Sequence, residues 1–305
     1  MTNIFGIPIV IAIILGIIFP YTAISLMPYG VAFLFILMMS AGITIDWRKL
    51  RYFTYRLPEL LIGLVFLFAI FPIGQWLIAR WLVTDDQFLY GLVFASLCPV
   101  AIVAPYFSNL IEADDEFAFV LMIWSMILCP LIAPIMLKIL LQPSVALNVL
   151  PLTKYMLLLV TTPIALSYAI DRVFPRCKVI LRPLLGLLNM GSLSVLIFIL
   201  FGTAVGRLNL HYTPINDLFV LLFLMFLQDF GVLVVARRIF SFWLSPEIVG
   251  ALSISLSMRN VAIAAGVLLF YDPKASFPAA LGFIAHAFLF TFISMRRRSK
   301  WFRPV

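Results

Sequence analysis

The chain has 305 residues, of which 64% are apolar and only 11% are charged, and its formal net charge is +8. This composition excludes an ordinary soluble domain and indicates a polytopic helical membrane protein, because its repeated apolar runs of about 20 residues match the thickness of a hydrocarbon core. The lipid bilayer is therefore an expected partner. The positive charge is explained by membrane topology, so nucleic acid is not an expected partner.

The apolar runs predict ten membrane spans. In chain order they are placed at 4–20, 26–45, 57–80, 88–111, 116–138, 152–170, 184–206, 214–236, 247–271 and 275–295. The first span lacks the basic start and the small-residue cleavage site of a signal peptide, so we expect it to be a retained helix. With both termini in the cytoplasm, fifteen of the 21 Lys and Arg residues fall on the cytoplasmic side and five outside. This bias predicts a multi-pass protein with both termini cytoplasmic. We expect the membrane to be the bacterial inner (plasma) membrane.

Ten spans divide into two sets of five. Because five is odd, the second set enters the membrane from the opposite side and has inverted topology. We therefore predict an all-α fold of two inverted repeats, 1–141 and 142–305, as in many secondary transporters. Matching interruptions lie in span four, where Pro99 and Pro105 each remove a backbone donor, and in span nine, where serines including Ser255 and Ser257 precede Arg259. Simple kinks are the alternative, since membrane helices tolerate prolines and serines.

Arg259 is the strongest single indication of a working site. A charge at bilayer depth is costly and persists mainly where it is paired or lines a polar cavity. Enzyme signatures are not found, and the three cysteines (Cys98, Cys129 and Cys177) have no disulfide or metal-site spacing. We expect neither catalysis nor a metal or organic cofactor.

Four motifs follow one another along the chain: the segment Met38–Thr44 at the end of span two, the segment Ile62–Pro72 of span three, the Cys98-Pro99 pair that opens the break of span four, and Met258-Arg259-Asn260 in span nine. Taken together and in this order, they resemble the bile acid:sodium symporter family. The resemblance implies two domains. One, the panel, consists of helices one, two, six and seven. It packs against the other, the core, which consists of helices three to five and eight to ten and in which discontinuous helices four and nine cross.

The resemblance also implies two sodium sites, and this chain departs from both. The matching positions of the first site are Ala104-Pro105, Ala118, Met122 and Ser255, and the second adds Leu67 and Arg259. Methyl groups, a thioether and a guanidinium offer no oxygen ligand to sodium. We therefore expect sodium binding to be lost, with Arg259 in the place of the ion, because a guanidinium is permanently charged and presents five donors.

Asp229 of span eight is the expected counter-charge of Arg259. At 1.5 Å per residue their depths differ by roughly 6 Å, which an arginine can reach. The alternatives are a purely structural ion pair, an anion site and a proton-sensitive pair.

His286 lies at a similar depth in span ten, where the resembling family has a His-Asn pair facing its substrate cavity. A packing role is the alternative for a lone histidine on an apolar helix. Asn260 is retained beside Arg259, and Asn189 and Ser192 of span seven are expected to face the same site from the panel.

These features predict a secondary transporter that moves a small organic anion by alternating access, as a monomer or homodimer. The alternatives are a sodium-coupled symporter with rearranged ion sites, an arsenite-type efflux permease that uses Cys98, and a non-transporting receptor for organic anions.

Overall fold

The computed structural model describes residues 3–45, 47, 56–141, 149–207 and 215–296. For residues 3–6, 175–180, 182 and 215 it describes the backbone only. Several of the basic residues behind the topology prediction therefore lie outside the description: Arg48, Lys49, Arg51, Arg297, Arg298, Lys300, Arg303 and the side chains of Arg176, Lys178 and Arg182.

The described residues form helices and no strand. The α-helices are α1 (Asn3–Ile18), α2 (Pro20–Leu26), α3 (Gly30–Thr44), α4 (Leu57–Val65), α5 (Phe71–Leu82), α6 (Asp86–Leu97), α7 (Ala104–Leu110), α8 (Asp115–Leu141), α9 (Val149–Met156), α10 (Thr162–Val173), α11 (Pro175–Arg207), α12 (Ile215–Phe226), α13 (Val232–Phe240), α14 (Pro246–Ser257), α15 (Val261–Tyr271) and α16 (Ser276–Arg296). A 3₁₀ turn, Met27–Tyr29, joins α2 to α3. Three π-helical segments join α4 to α5, α9 to α10 and α12 to α13: π1 (Phe66–Ile70), π2 (Leu157–Thr161) and π3 (Leu227–Gly231).

Seven of the described helical stretches are long and apolar enough to cross a membrane. They correspond to predicted spans two, three, five, six, seven, eight and ten, and the largest boundary difference is at span two, which begins at Pro20. Predicted span one coincides with the shorter helix α1, and spans four and nine coincide with the pairs α6/α7 and α14/α15. An all-helical, multi-pass membrane protein is thus confirmed, while the count of ten spans and the inverted repeat stay predictions.

The helices pack in two groups. α1, α2, α3, α10 and α11 contact one another, and these are the elements predicted for the panel. α5 and α6 pack together, α13 packs on α14, and α16 contacts α6, α12 and α15, all within the predicted core. Between the groups, α11 and α3 pack against α15, and α11 also packs against α16. The second interrupted helix therefore lies against both groups, through α15.

Corresponding features recur at nearly the same spacing along the chain. π1 begins at Phe66 and π3 at Leu227, while the breaks that follow α6 and α14 begin at Cys98 and Met258. The separation between the two π-helical segments is thus nearly equal to the separation between the two breaks. Each of these interruptions in the first half has a counterpart in the second, as two related halves would produce. The bounds 1–141 and 142–305 are not tested by this spacing.

Two glycines bring the first half-helix of each interrupted pair against a loop from the other half of the chain. A Cβ on Gly91 of α6 would lie 2.0 Å from the carbonyl oxygen of Ala275, which precedes α16. A Cβ on Gly250 of α14 would lie 2.7 Å from the Cβ of Ala113, which precedes α8. Only a residue without a side chain permits the first of these approaches, because the obstructing atom belongs to the backbone.

The α6 end of this contact is also held by polar groups. The Asp85 carboxylate accepts hydrogen bonds from the N–H groups of Gln87 (3.0 Å) and Phe88 (3.2 Å) and forms an ion pair with Lys274. Burial acts to raise the pKa of Asp85, but Lys274 and the two N–H groups outweigh it, so this pKa lies below its ordinary value. The start of α6 is therefore fixed to the loop between α15 and α16.

We predict that Gly91→Ala destabilises the protein by about 1–3 kcal/mol or more, because the added methyl group collides with backbone. Gly74→Ala is the matched control, since a Cβ at Gly74 of α5 has no neighbour within 4 Å. The control should be neutral or stabilising by up to about 1 kcal/mol, as expected for alanine in a helix. Thermal melting in detergent measures both, and equal melting temperatures for the two variants would contradict the close contact.

Candidate functional site

The breaks in the two interrupted helices meet in the middle of the fold. Residues 98–103 connect α6 to α7, and residues 258–260 connect α14 to α15; together we call them the crossing. The N–H of Ala101 donates to the carbonyl of Met258 (2.7 Å), and the N–H of Asn260 donates to the carbonyl of Pro99 (2.8 Å). Each break therefore satisfies backbone groups that the other has freed, which is the condition for irregular backbone at membrane depth.

Residues from two further helices hold the crossing in place. Ser125 of α8 accepts a hydrogen bond from the N–H of Val100 (3.0 Å), and it donates its own to the carbonyl of Met122 (2.7 Å). His286 of α16 has its Nε2 atom 2.8 Å from the carbonyl oxygen of Arg259. Ser125 and His286 are as far apart along the chain as the first residues of π1 and π3, so they occupy corresponding positions in the two halves. Ser125 was not predicted from the sequence.

Arg259 occupies the centre of the crossing, opposite Val100 in an antiparallel backbone bridge. Its side chain is only 1% exposed. The Nη1 group donates to the carbonyl of Leu67 in π1 (3.1 Å), and the Nε group has no hydrogen-bond partner. Arg259 thus lies buried between α14 and α15, where the sequence places the interruption of span nine, and its Nε donor remains unsatisfied.

The ion pair expected between Arg259 and Asp229 is not formed in the structure. Asp229 lies in π3 with no exposed surface, and its Oδ2 atom is 2.8 Å from Nδ1 of His286. Across the described residues, no carboxylate lies within ion-pair distance of the Arg259 guanidinium. Counting 1.5 Å per residue predicts how deep each residue lies in the membrane but not which way its side chain points around the helix. In addition, a π-helical turn rotates the residues within it relative to an α-helix.

Further buried polar groups near the crossing lack partners. The Gln228 amide beside Asp229, the Oγ of Ser255 in α14 and the Asp229 Oδ1 atom make no hydrogen bond. The contact of Nδ1 of His286 with Asp229 has an ion-pair distance but poor hydrogen-bond geometry. Buried polar atoms are normally satisfied, so this concentration marks the region as one suited to a polar ligand or to a change in conformation.

The remaining predicted site residues have identifiable surroundings. The Asn260 side chain caps α15 by accepting from the N–H of Ile263 (3.4 Å), and Ser257 donates to the carbonyl of Ile254 (3.0 Å). Asn189 of α11 accepts a hydrogen bond from Ser40 of α3, so its described contact joins two helices of the predicted panel. Ser192 is buried on the same helix. The structure gives neither Asn189 nor Ser192 a contact with Arg259 or His286.

Most of the positions matched to sodium ligands carry apolar groups here, and Ser255 and Arg259 are the exceptions. Leu67, Ala104, Ala118 and Met122 are buried, and Ala104 and Pro105 form the first turn of α7. The backbone carbonyl of Leu67 points to the Arg259 guanidinium. A permanent cation of the protein thus contacts a backbone oxygen at this position.

The sequence itself assigns the chain to a family. A model of the Sodium Bile acid symporter family matches residues 31–209, which is more than half of the chain. The protein belongs to this family and is a multi-pass membrane protein of the transport class. The match covers the first break, whereas Asp229, Arg259 and His286 lie beyond it. Among curated proteins, no sequence matches the chain significantly.

The Asp229–His286 contact predicts energetic coupling between these two residues. Asp229→Asn and His286→Gln should each lower stability, and the double variant should lose about 1–3 kcal/mol less than the sum, because leaving one buried partner alone is the costly step. Unfolding by SDS in mixed micelles measures the three variants. Asp217→Asn combined with His286→Gln is the control and should be additive, since Asp217 lies in the first turn of α12.

The same cycle with Asp229→Asn and Arg259→Gln distinguishes the observed contact from the one expected from sequence. We expect a smaller coupling there, because these side chains do not touch. Additivity for Asp229 with His286, together with strong coupling to Arg259, would show that the carboxylate belongs to the arginine after all.

Proposed function

We propose that the chain is a secondary transporter that moves a small organic anion by alternating access between panel and core, with the anion bound at Arg259. The observation that carries the proposal is a fully buried guanidinium at the crossing of two broken helices, without a carboxylate at ion-pair distance among the described residues. Family membership supports the transport class. The proposal adds the charge of the substrate and the residue that recognises it.

The electrostatic argument favours an anion. A buried unpaired charge costs several kcal/mol, and its binding partner must supply either opposite charge or several oriented dipoles. The carbonyl of Leu67 supplies one such dipole, and Nε of Arg259 remains without an acceptor. A carboxylate or sulfonate provides both the missing charge and acceptors in the planar geometry that a guanidinium prefers.

Neighbouring groups suit a ligand with an apolar body. The crossing is surrounded by buried hydrocarbon, including Leu67 and Met258. In the proposal, Asn260 and His286 contribute to the polar end of the site from the core. Asn189 and Ser192 belong to α11, which packs against α15 and α16, and would face the ligand from the panel in another conformation of the transport cycle.

Sodium coupling is the main alternative, and the side chains argue against it. Sodium needs several oxygen ligands. The side chains of Leu67, Ala104, Ala118 and Met122 provide none, and the Leu67 carbonyl already contacts a guanidinium. In this proposal Arg259 takes the electrostatic place of the ion permanently. Insertion in the bacterial inner membrane with both termini cytoplasmic, as a monomer or homodimer, completes the proposal.

We predict that wild-type protein binds naphthalene sulfonate, naphthoate or taurocholate, and that Arg259→Gln weakens this binding by at least about tenfold, or 1.4 kcal/mol. Arg259→Lys should retain part of the affinity, because it keeps the charge but not the planar fork. Isothermal titration calorimetry in detergent measures all three. Arg80→Gln is the matched control, since Arg80 lies in the last turn of α5 against Trp76 and should leave binding unchanged.

The same titrations decide between the alternatives. Equal affinities in sodium and potassium chloride at constant ionic strength support the proposal, whereas binding that requires sodium would favour a sodium-coupled symporter. A preference for organic cations, or for arsenite over every organic anion, would overturn it. Binding without uptake into proteoliposomes would favour a receptor.

A further inference from the structure

Asp229 and His286 form a buried acid–base pair that the proposed anion site does not by itself require. Asp229 is 0% exposed and His286 is 5% exposed. The ring of His286 lies between two oxygen atoms, with Nδ1 2.8 Å from Oδ2 of Asp229 and Nε2 2.8 Å from the carbonyl oxygen of Arg259. Neither carboxylate oxygen of Asp229, nor Nδ1 of His286, nor the adjacent Gln228 amide has a partner in good hydrogen-bond geometry.

The chemistry of these contacts fixes where hydrogen atoms must be. A backbone carbonyl can only accept, so Nε2 of His286 carries a hydrogen atom. Nδ1 and Oδ2 lie 2.8 Å apart without good hydrogen-bond geometry, and a proton on one of them is needed to offset the repulsion between their lone pairs. That proton belongs either to the ring, giving imidazolium and carboxylate, or to the carboxyl group, giving two neutral partners. In this conformation the pair therefore holds one titratable proton.

We propose that Asp229 and His286 form a proton-binding site at the crossing, and that one proton bound there accompanies each organic anion through the transport cycle. The inference rests on the proposed anion transport and names its coupling ion. The proton enters the pair from water on one side of the membrane and is released to water on the other, so no other reactant is needed.

Net charge explains why proton and anion would bind together. Arg259 contributes +1, and the protonated pair contributes zero, whichever partner holds the proton. After the proton leaves, the pair is a carboxylate and a neutral imidazole, so the three residues together carry no net charge. An anion is attracted to the first state much more than to the second, and by linkage the bound anion strengthens proton binding equally.

The geometry also connects this proton to the backbone of the crossing. His286 contacts the Arg259 carbonyl in the break between α14 and α15, and Asp229 lies in π3, one of the three π-helical segments. Loss of the proton removes the attraction between the His286 ring and the Asp229 carboxylate, while Nε2 keeps its hydrogen bond to the Arg259 carbonyl. The same event thus lowers anion affinity and weakens the link between the broken helix and π3, as a coupled transporter requires.

Other titratable groups are few at this position. Arg259 faces the pair, and the buried thiols of Cys98 and Cys129 interact with Arg259. The remaining described titratable residues of the helices that pack on α16 lie near helix ends: Asp86 and Tyr90 of α6, Tyr106 of α7, Arg207 of α11, Asp217 of α12 and Tyr271 of α15. The side chains of Arg176, Lys178 and Arg182 on α11 lie outside the described set.

The test is calorimetric titration of the full chain with naphthalene sulfonate and taurocholate in two buffers of different ionisation enthalpy at one pH. Wild-type protein should take up protons as the anion binds, approaching about one per bound anion at a pH above the midpoint of the free pair's titration, and its affinity should rise by about tenfold or more between about pH 8 and pH 6. Asp229→Asn keeps the shape of the carboxyl group but cannot ionise. It should bind the anion with little pH dependence and no proton uptake. Asp217→Asn is the matched control and should behave as wild type.

In proteoliposomes, an inward proton gradient at clamped membrane potential should drive accumulation by wild-type protein and by Asp217→Asn, whereas Asp229→Asn should only equilibrate the anion. Anion binding without proton uptake in wild type would overturn the coupling proposal and leave the transport proposal standing. Failure of wild type to bind any of the anions would overturn both. If Asp229→Asn does not fold, proton uptake by wild type alone decides the question.

Discussion

The structure depends on the pairing of two unwound backbone segments inside the fold. Each break frees N–H and C=O groups that lipid cannot satisfy. Residues 99–101 and 258–260 supply partners to one another through the two hydrogen bonds around Val100 and Arg259. Ser125 and His286 then hold the two breaks from neighbouring helices. Irregular backbone at this depth positions polar groups where a regular helix would present only side chains.

A guanidinium at this point gives the crossing its chemical character. Arg259 is held by its own backbone in the paired segment and by the Leu67 carbonyl, so its charge is fixed in position. A fixed charge in a region of low dielectric acts strongly on any ion that enters, and it needs no reorganisation when the ion arrives. In the proposed coupling, it forms with Asp229 and His286 a site whose net charge changes with one proton. The family match sets the transport class, and these residues, which lie beyond the matched region, set the proposed selectivity.

Much of this fold could be predicted from the sequence because its physical causes are local. Apolar length predicts the spans, and Pro99, Pro105 and Arg259 predict the breaks, since each conflicts with an uninterrupted apolar helix. The π-helical segments could not be predicted, because their apolar composition is that of the helices around them.

The partners of individual side chains were even harder to predict from the sequence. The depth of Asp229 in the membrane predicts that it lies near Arg259. The direction of its side chain around the helix brings it to His286 instead. Asn189, expected at the site, bonds to Ser40 instead. Ser125 could have been found by aligning the two halves of the chain on their breaks, which brings it next to the position of His286.

The central claim is that Arg259 is the anion-binding group of the crossing. The most direct measurement is a crystal structure of the protein with bromobenzene sulfonate, in which the anomalous scattering of bromine locates the ligand. The account predicts that the sulfonate oxygens lie within hydrogen-bond distance of the Arg259 guanidinium, with Asp229 still beside His286. A bromine position away from the crossing, or an Arg259 side chain bound to Asp229 while the ligand lies elsewhere, would contradict it.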